Sequence, residues 1–368
     1  MEVYLKRIAN LRKVFEKNNL DAFLLNSYAN RVYLSALESS SGWLVVSRSS
    51  CFLCVDSRYE EAAKKIVARI NKTANHGEFT FVPIEDFKKD FLVSFIQKGE
   101  IKRIGFEAKH LSHATLNYLK KSTKIKWVAT FDLVENLRAI KDKEEIKQIE
   151  KAVEICDRTF KHILGFIKPG VREREIAWEL ERFIREAGAE KAAWYPFIVA
   201  AGSNSAMPHY GSGLRKIKKG DQVQLDFGAV VAGYASDFSR VVFVGKPNDT
   251  QNKIHTLVSK ALELGKEIIH KKTAVGRVDE KVKEWLRTQS DHIYRHGLGH
   301  GVGLEIHEKP TLYIGRKEKL QVGNVFTIEP GIYIPGWGGV RLEDMVILTE
   351  NGLQTITKSP LSLKEVTI

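Results

Sequence analysis

The chain has 368 residues, 43% of them hydrophobic and 28% charged, a balance that excludes intrinsic disorder, a collagen-like fibre and low-complexity sequence. Lys and Arg number 58 against 45 Asp and Glu, giving a formal net charge of +13, and the length allows two domains that each bury a core. No apolar run reaches the ~20 residues that span a bilayer, and the opening stretch MEVYLKRIANLRKVFEKNN is charged throughout, unlike a signal peptide.

A cytoplasmic protein that engages no membrane is therefore expected. Three cysteines cannot build a disulfide framework. Cys51 and Cys54 form a CxxC, but they lie in the strand-like run CFLCV, where residues three apart point to opposite faces, and no second ligand pair accompanies them. They read as buried core thiols. The lysine pairs Lys64-Lys65, Lys88-Lys89, Lys120-Lys121 and Lys271-Lys272 are scattered rather than gathered into a stripe with aromatics, so no nucleic-acid partner is expected.

Along the chain, Leu5, Ile8, Leu11, Val14 and Phe15 recur at helical spacing within residues 4–19. DAFLLN, GWLVVS, CFLCVD, RIGFEA (103–108) and KWVATF (126–131) follow as short strands, which makes residues 1–135 an α/β domain. Residues 136–368 form a second domain that opens on a charged connection. Asp142 with Glu145 three residues later is a capping box, and Ile146, Ile149, Val153, Cys156, Phe160 and Ile163 then mark one buried helix face, ending at Lys168-Pro169-Gly170. A helix over 172–187 comes next, then strands over 194–201, 222–229 and 235–244. The same order returns in helices over 252–270 and from Arg277 to about Thr288, with strands around His300, Glu329 and Glu343. Two similar halves would enclose a site at their junction.

The chemistry-bearing residues sit in that second domain. In QLDFGAVVAGYASDFSRVV, Asp226 and Asp237 flank a Gly-containing turn, so a hairpin brings their carboxylates together. A buried acid without a partner costs on the order of several kcal/mol, so positive charge must meet them. HGLGHGVGLEIHE supplies His296, His300 and His307; TIEPGIYI supplies Glu329; GGVRLEDMV supplies Arg341 and Glu343. Both glutamates are expected to point inward from strands. Four carboxylates with one neutral imidazole suit two divalent ions better than one. The glycines around His300 do not spell GxGxxG, and close backbone packing is the expected reason for them.

DFGAVVAGYASDFSR, GHGVGLEIHE, TIEPGIYI and GGVRLED together resemble the successive motifs of the metallopeptidase family that contains aminopeptidase P, prolidase and methionine aminopeptidase. LDAFLLNSYANRVYLSAL and VDSRY resemble the creatinase-type amino-terminal domain, so the likeness covers nearly the whole chain. It implies an α+β pita-bread catalytic domain, two pseudo-repeated halves around a curved antiparallel sheet, preceded by a creatinase-like α/β domain. It also implies that Asp226 binds one metal, that His300 and Glu329 bind the other, and that Asp237 and Glu343 bridge them. His209, in SAMPHY, and His307 match the histidines that stabilise the tetrahedral intermediate, Glu329 matches the ligand that also handles a proton, and Arg341 matches a supporting arginine. His296 stays outside the ligand set and is expected to line the substrate pocket. Mn or Co are the expected metals, with Zn or Fe open, and a homodimer is implied.

The amino-terminal domain and the full set of ligand positions favour a Xaa-Pro peptidase over a methionine aminopeptidase or a creatinase-like relative. Some prolidases carry an arginine after HExP, whereas HEKP here is followed by Thr311, with Lys309 the available substitute. VDSRY, with Asp56, Arg58 and Tyr59, resembles aminopeptidase P. The expectation is removal of a residue ahead of proline from peptides with proline second. A Xaa-Pro dipeptidase is the alternative, and a non-enzymatic peptide-binding protein a more distant one.

Overall fold

The structure, a computed structural model, describes residues 1–74, 77–84 and 101–368; Lys88 and Lys89 lie outside them. It divides into two compact units, Met1–Arg138 and Ala139–Ile368. Among the described residues no helix is long and apolar enough to cross a membrane.

The first unit is an α/β layer structure. Its elements are α1 (Glu2–Asn18), β1 (Ala22–Leu25), α2 (Tyr28–Ser35), β2 (Trp43–Ser47), β3 (Cys51–Val55), α3 (Glu60–Ala74), β4 (Phe79–Pro83), β5 (Arg103–Glu107), α4 (His113–Ser122), β6 (Lys126–Thr130) and α5 (Leu133–Arg138). The six strands form one mixed sheet in the order β4-β3-β2-β1-β5-β6, with β1, β5 and β6 parallel. Strands buried on both faces explain why AFLL and CFLCV read as continuous apolar runs rather than alternating ones. Both CxxC thiols are buried and unpaired, and burial pushes each thiol far above its ordinary range. Within VDSRY, Asp56 accepts from Arg58 Nε and Nη2 at 2.9 Å each and from Ser41 Oγ at 3.0 Å. The arginine beside it holds the Asp56 carboxyl well below the usual carboxylate range.

The second unit opens on α6 (Lys143–Leu164), where Asp142 accepts the Glu145 amide and Glu145 accepts the Asp142 amide, each at 3.0 Å. This helix ends at Leu164, short of the expected Lys168. Gly165 caps it and Ile167 closes a last turn onto Ile163 O, before Pro169 would bar the residue ahead of it from helix. α7 (Glu173–Glu186), β7 (Lys191–Ala192), β8 (Ile198–Ala201), β9 (Gln222–Phe227), β10 (Ala229–Val231), β11 (Tyr234–Ala235) and β12 (Phe238–Phe243) complete the first half. The expected strand from Trp194 shrinks to β8, and the strand expected from Ala235 is split between β11 and β12. The second half repeats the order with α8 (Asp249–Ile268), α9 (Val275–Arg287), β13 (Gly299–Gly301), β14 (Glu308–Leu312), β15 (Val325–Ile328), β16 (Gly331–Ile334), β17 (Gly338–Arg341), β18 (Asp344–Thr349) and β19 (Gly352–Thr355). α8 also begins with a capping box, Asn248 with Gln251.

The strand pairings of this unit are antiparallel: β12-β9-β8 in one sheet, β14-β13-β15-β18-β19 in another, with β16-β17 and β11-β10-β7 as smaller pieces. One large core joins α6, α7, α8 and α9 to these strands, from Phe160 and Leu180 through Val258 and Val282 to Phe326 and Val346. Alternation sets Gln222, Gln224 and Asp226 on one face of β9, with Ser239 of β12 opposite Asp226, while Phe227 and Phe238 on the other face pack with tilted rings 4.7 Å apart and Phe160 lies 5.3 Å from Phe238. That aromatic layer forms a rigid floor behind the acidic residues.

His255 on α8 is 3% exposed, its Nε2 has no hydrogen-bond partner, and burial, then Arg240, lowers its pKa to about 4. Because the folded value lies below the ordinary one, the unfolded chain binds the extra proton and stability falls as pH drops from 6.5 towards 4. Between pH 7 and 4.5 this residue should cost roughly 2–3 kcal/mol. His255→Leu should lose that much less stability than the parent over the same interval, measured by urea denaturation; equal losses would contradict the assignment.

Candidate metal centre

β9 and β12 pair so that Ser239 faces Asp226, which puts Asp237, two residues earlier on the same face, diagonally beside Asp226. The intervening β10-β11 hairpin turns at Ala232-Gly233, both with positive φ, and the Glu190 carboxylate accepts both turn amides at 2.9 and 3.1 Å. His300 is the central residue of β13. Cβ atoms on Gly299 and Gly301 would fall on the carbonyl oxygens of Thr327 and Lys309, so the glycines let neighbouring backbones close around it.

The two glutamates are not in strands, contrary to the expectation. Glu329 follows β15 and precedes Pro330, which cannot donate to a ladder, and its amide donates to Leu298 O at 2.7 Å. Glu343 lies between β17 and β18, where the chain changes sheets and its amide donates to Ser239 O at 3.2 Å. Both still point at the same place. One ligand atom each from Asp237, His300 and Glu343 lies within 4.8 Å of the others. His300 Nε2 is 3.4 Å from Asp237 Oδ2 and 3.5 Å from Glu329 Oε1.

His300 Nδ1 meets the carbonyl of Gly301 at 3.2 Å, so it carries the proton and Nε2 presents its lone pair to the carboxylates. Burial, then the neighbouring His307, lowers the His300 pKa to about 3, which keeps the ring neutral. The acids respond in the opposite sense. Burial, followed by the charges of Asp226 and Glu329, pushes the Asp237 carboxyl well above its usual range. Burial, followed by Asp237 and Asp226, does the same to Glu343, and burial, followed by Glu343, to Glu329. Glu343 is 2% exposed, and its Oε1 has no hydrogen-bond partner. Oxygen and imidazole acceptors facing one another around an orphaned carboxylate oxygen fit a divalent cation site.

Asp226 has a different partner. Arg341 Nη2 donates to Asp226 Oδ2 in a close contact, while its Nε lies 3.8 Å from Glu329 Oε2 and donates to Ser239 Oγ at 3.1 Å. Burial raises the Asp226 carboxyl against the opposing pull of Arg341. Sequence reading missed what holds this arginine. The Tyr333 hydroxyl accepts from Arg341 Nη1 at 2.9 Å, and Gln224 Oε1 accepts the Arg341 amide at 2.8 Å. His296 donates from Nδ1 to Gly297 O at 2.7 Å, leaving Nε2 to accept from the Tyr333 hydroxyl at 3.2 Å. Alternation in EPGIYI sets Tyr333 on the face opposite Ile332, the one local sign of its role. His209 and His307 are exposed at the rim; the His307 ring stands edge-on to His300 at 4.2 Å between centroids. Both His209 and Asp226 act electrostatically on His307.

The profile of metallopeptidase family M24 matches residues 147–350, and that of the creatinase/prolidase N-terminal domain matches residues 7–140. A Xaa-Pro dipeptidase from Pyrococcus horikoshii is 34% identical over 367 residues, covering 99% of this chain and 100% of its own. The structure of a Xaa-Pro dipeptidase from Bacillus anthracis superposes with a TM-score of 0.91 at 35% identity, covering 99% of this chain and 100% of that one. That of an X-Pro aminopeptidase from Thermotoga maritima gives 0.83 at 32% identity, with 94% and 98% covered. The pseudo-repeated, antiparallel second unit is thus the pita-bread fold of these peptidases, a metal-dependent class. The chain belongs to metallopeptidase family M24 and is a Xaa-Pro peptidase with a creatinase-type amino-terminal domain.

Proposed function

We propose that the protein removes the amino-terminal residue ahead of proline from peptides, using two divalent ions. The observation that carries the two-ion reading is the convergence of Asp237, Glu343 and Glu329 on the lone-pair nitrogen of His300, with Asp226 alongside. Asp226 would hold one ion, His300 and Glu329 the other, with Asp237 and Glu343 shared. Mn or Co suits this oxygen-rich set with a single imidazole, and Fe or Zn would also be accepted. When bound, such ions supply Lewis acidity that lowers the pKa of a water and polarises the scissile carbonyl.

The chain's own groups do the rest. Glu329 takes the proton of the attacking water and returns it to the leaving nitrogen. His209 and His307 donate hydrogen bonds to the oxyanion as it develops. Arg341 fixes Asp226, and the hydroxyl of Tyr333 fixes Arg341. His296, neutral with a pKa lowered to about 4 by burial and then by Arg341, presents an uncharged ring beside Tyr333 that suits the proline side of the substrate.

Thr311 pairs directly across from His300 in the β13-β14 ladder. A neutral hydroxyl at that place offers no ion pair to the terminal carboxylate of a dipeptide, which supports the aminopeptidase reading. The dipeptidase reading draws on the full-length relatives named Xaa-Pro dipeptidase. Buried, unpaired thiols agree with a reducing, cytoplasmic setting, and a homodimer is proposed on the family resemblance.

Three outcomes are expected. With Mn²⁺ or Co²⁺, kcat/KM on Xaa-Pro-Yaa tripeptides should exceed that on the matching dipeptides by roughly tenfold or more, the worth of one unmade charged hydrogen bond. The reverse order would establish the dipeptidase. Ion addition to chelated protein should raise its stability by about 2.7 kcal/mol for each ion held at 100 times its Kd, and Asp237→Ala should abolish that rise in a thermal-shift measurement. His307→Ala should keep the rise yet lose about 10²–10³ in kcat; unchanged kcat would remove the oxyanion role.

A further inference from the structure

The turn that carries His307 is held from beneath by a pair of charges that the proposed chemistry leaves unused. Glu308 is the next residue, and its carboxylate turns away from solvent to lie 2.8 Å from Lys141 Nζ; the two side chains are 3% and 1% exposed. A Cβ on Gly303 would fall on Glu308 Oε1, so a side chain there would displace the carboxylate from its place under the loop. Its other oxygen accepts the Glu305 amide at 3.4 Å. Gly303 donates to Glu305 O at 3.0 Å and accepts from the amide of Ala235, the last residue of β11 and two before Asp237, at 2.8 Å. Lys141 is itself pinned: its amide donates to Gly323 O at 2.9 Å, and Asn324 Nδ2 donates to Ala139 O at 2.8 Å, at the head of the strand that ends before Glu329.

Burying such a pair is neutral or unfavourable for stability when compared with an apolar pair of similar volume. What it supplies is position, because opposite charges out of water hold each other at contact distance where an apolar contact tolerates sliding. We propose that Lys141 and Glu308 are positioning residues for His307. Their ion pair fixes the turn over residues 302–308, so that the imidazole stays against His300 and faces the scissile carbonyl. The inference rests on the role given to His307 above.

The test is a mutant cycle in the full chain loaded with Mn²⁺ and assayed on a Xaa-Pro-Yaa tripeptide, with the ¹H–¹³C signal of the His307 imidazole followed in parallel on the same variants loaded with diamagnetic Zn²⁺. K141M/E308M replaces the pair by apolar side chains, K141R keeps the charge, and E308Q keeps the shape should the apolar pair not fold. The uncharged variants should lower kcat by about 10- to 100-fold with KM and the metal-induced thermal shift unchanged, and should move the His307 signal. Neither should lower kcat further in an H307A background, and K141R should restore most of the rate. Full kcat with an unmoved signal, or losses that multiply with that of H307A, would overturn the proposal. A parent protein inactive on every Xaa-Pro peptide would instead overturn the function assigned above, and the imidazole signal would still decide whether the pair fixes the turn.

Discussion

Acceptors that face acceptors are the constraint around which the larger unit is built. His300 Nε2 carries a lone pair, and Asp237 and Glu329 approach it at 3.4 and 3.5 Å with Glu343 beside them. Left to themselves these groups repel, and burial first, then that repulsion, displaces the carboxyl pKa values upward. The fold holds them together by spending packing energy around them. The Phe160, Phe227 and Phe238 layer backs the two aspartates, and glycines on either side of His300 allow the strands to close.

The protein's own positive charge is distributed unevenly over this cluster. Arg341 serves Asp226 and leans towards Glu329, and it is locked by Tyr333, Ser239 and Gln224. Behind the ligands, Arg240 is fully buried and donates to the carbonyls of Glu343, Ser239 and Ser359 and to the Asp344 carboxylate, which Lys266 also meets at 2.7 Å. This second arginine holds the backbone that presents Glu343 without touching its side-chain oxygens. Cationic side chains thus shape the acidic cluster from its edges, while Asp237, Glu343 and His300 form its most exposed need for a cation.

Much of this arrangement could be read from local sequence because local physics dictates it. Capping boxes, the Gly-containing hairpin between Asp226 and Asp237, and the glycines flanking His300 each depend on residues a few positions apart. The apolar neighbours of Glu329 and Glu343 predict strands there; Pro330 and the sheet change at Glu343 override that pattern. The Tyr333–Arg341–Asp226 chain and the Lys141–Glu308 pair were invisible for a different reason. Their members are distant in sequence, and nothing in either local segment records the partner. The helix end at Leu164 shows a smaller version of the same effect, since the turn through Ile167 continues the apolar spacing after helical hydrogen bonding has stopped.

A cluster that holds two ions rather than one is distinguished by its metal stoichiometry. Protein stripped with chelator, re-equilibrated with Mn²⁺ and freed of excess ion should contain two ions per chain by elemental analysis. One tightly held ion, or none, would rule out a two-ion site.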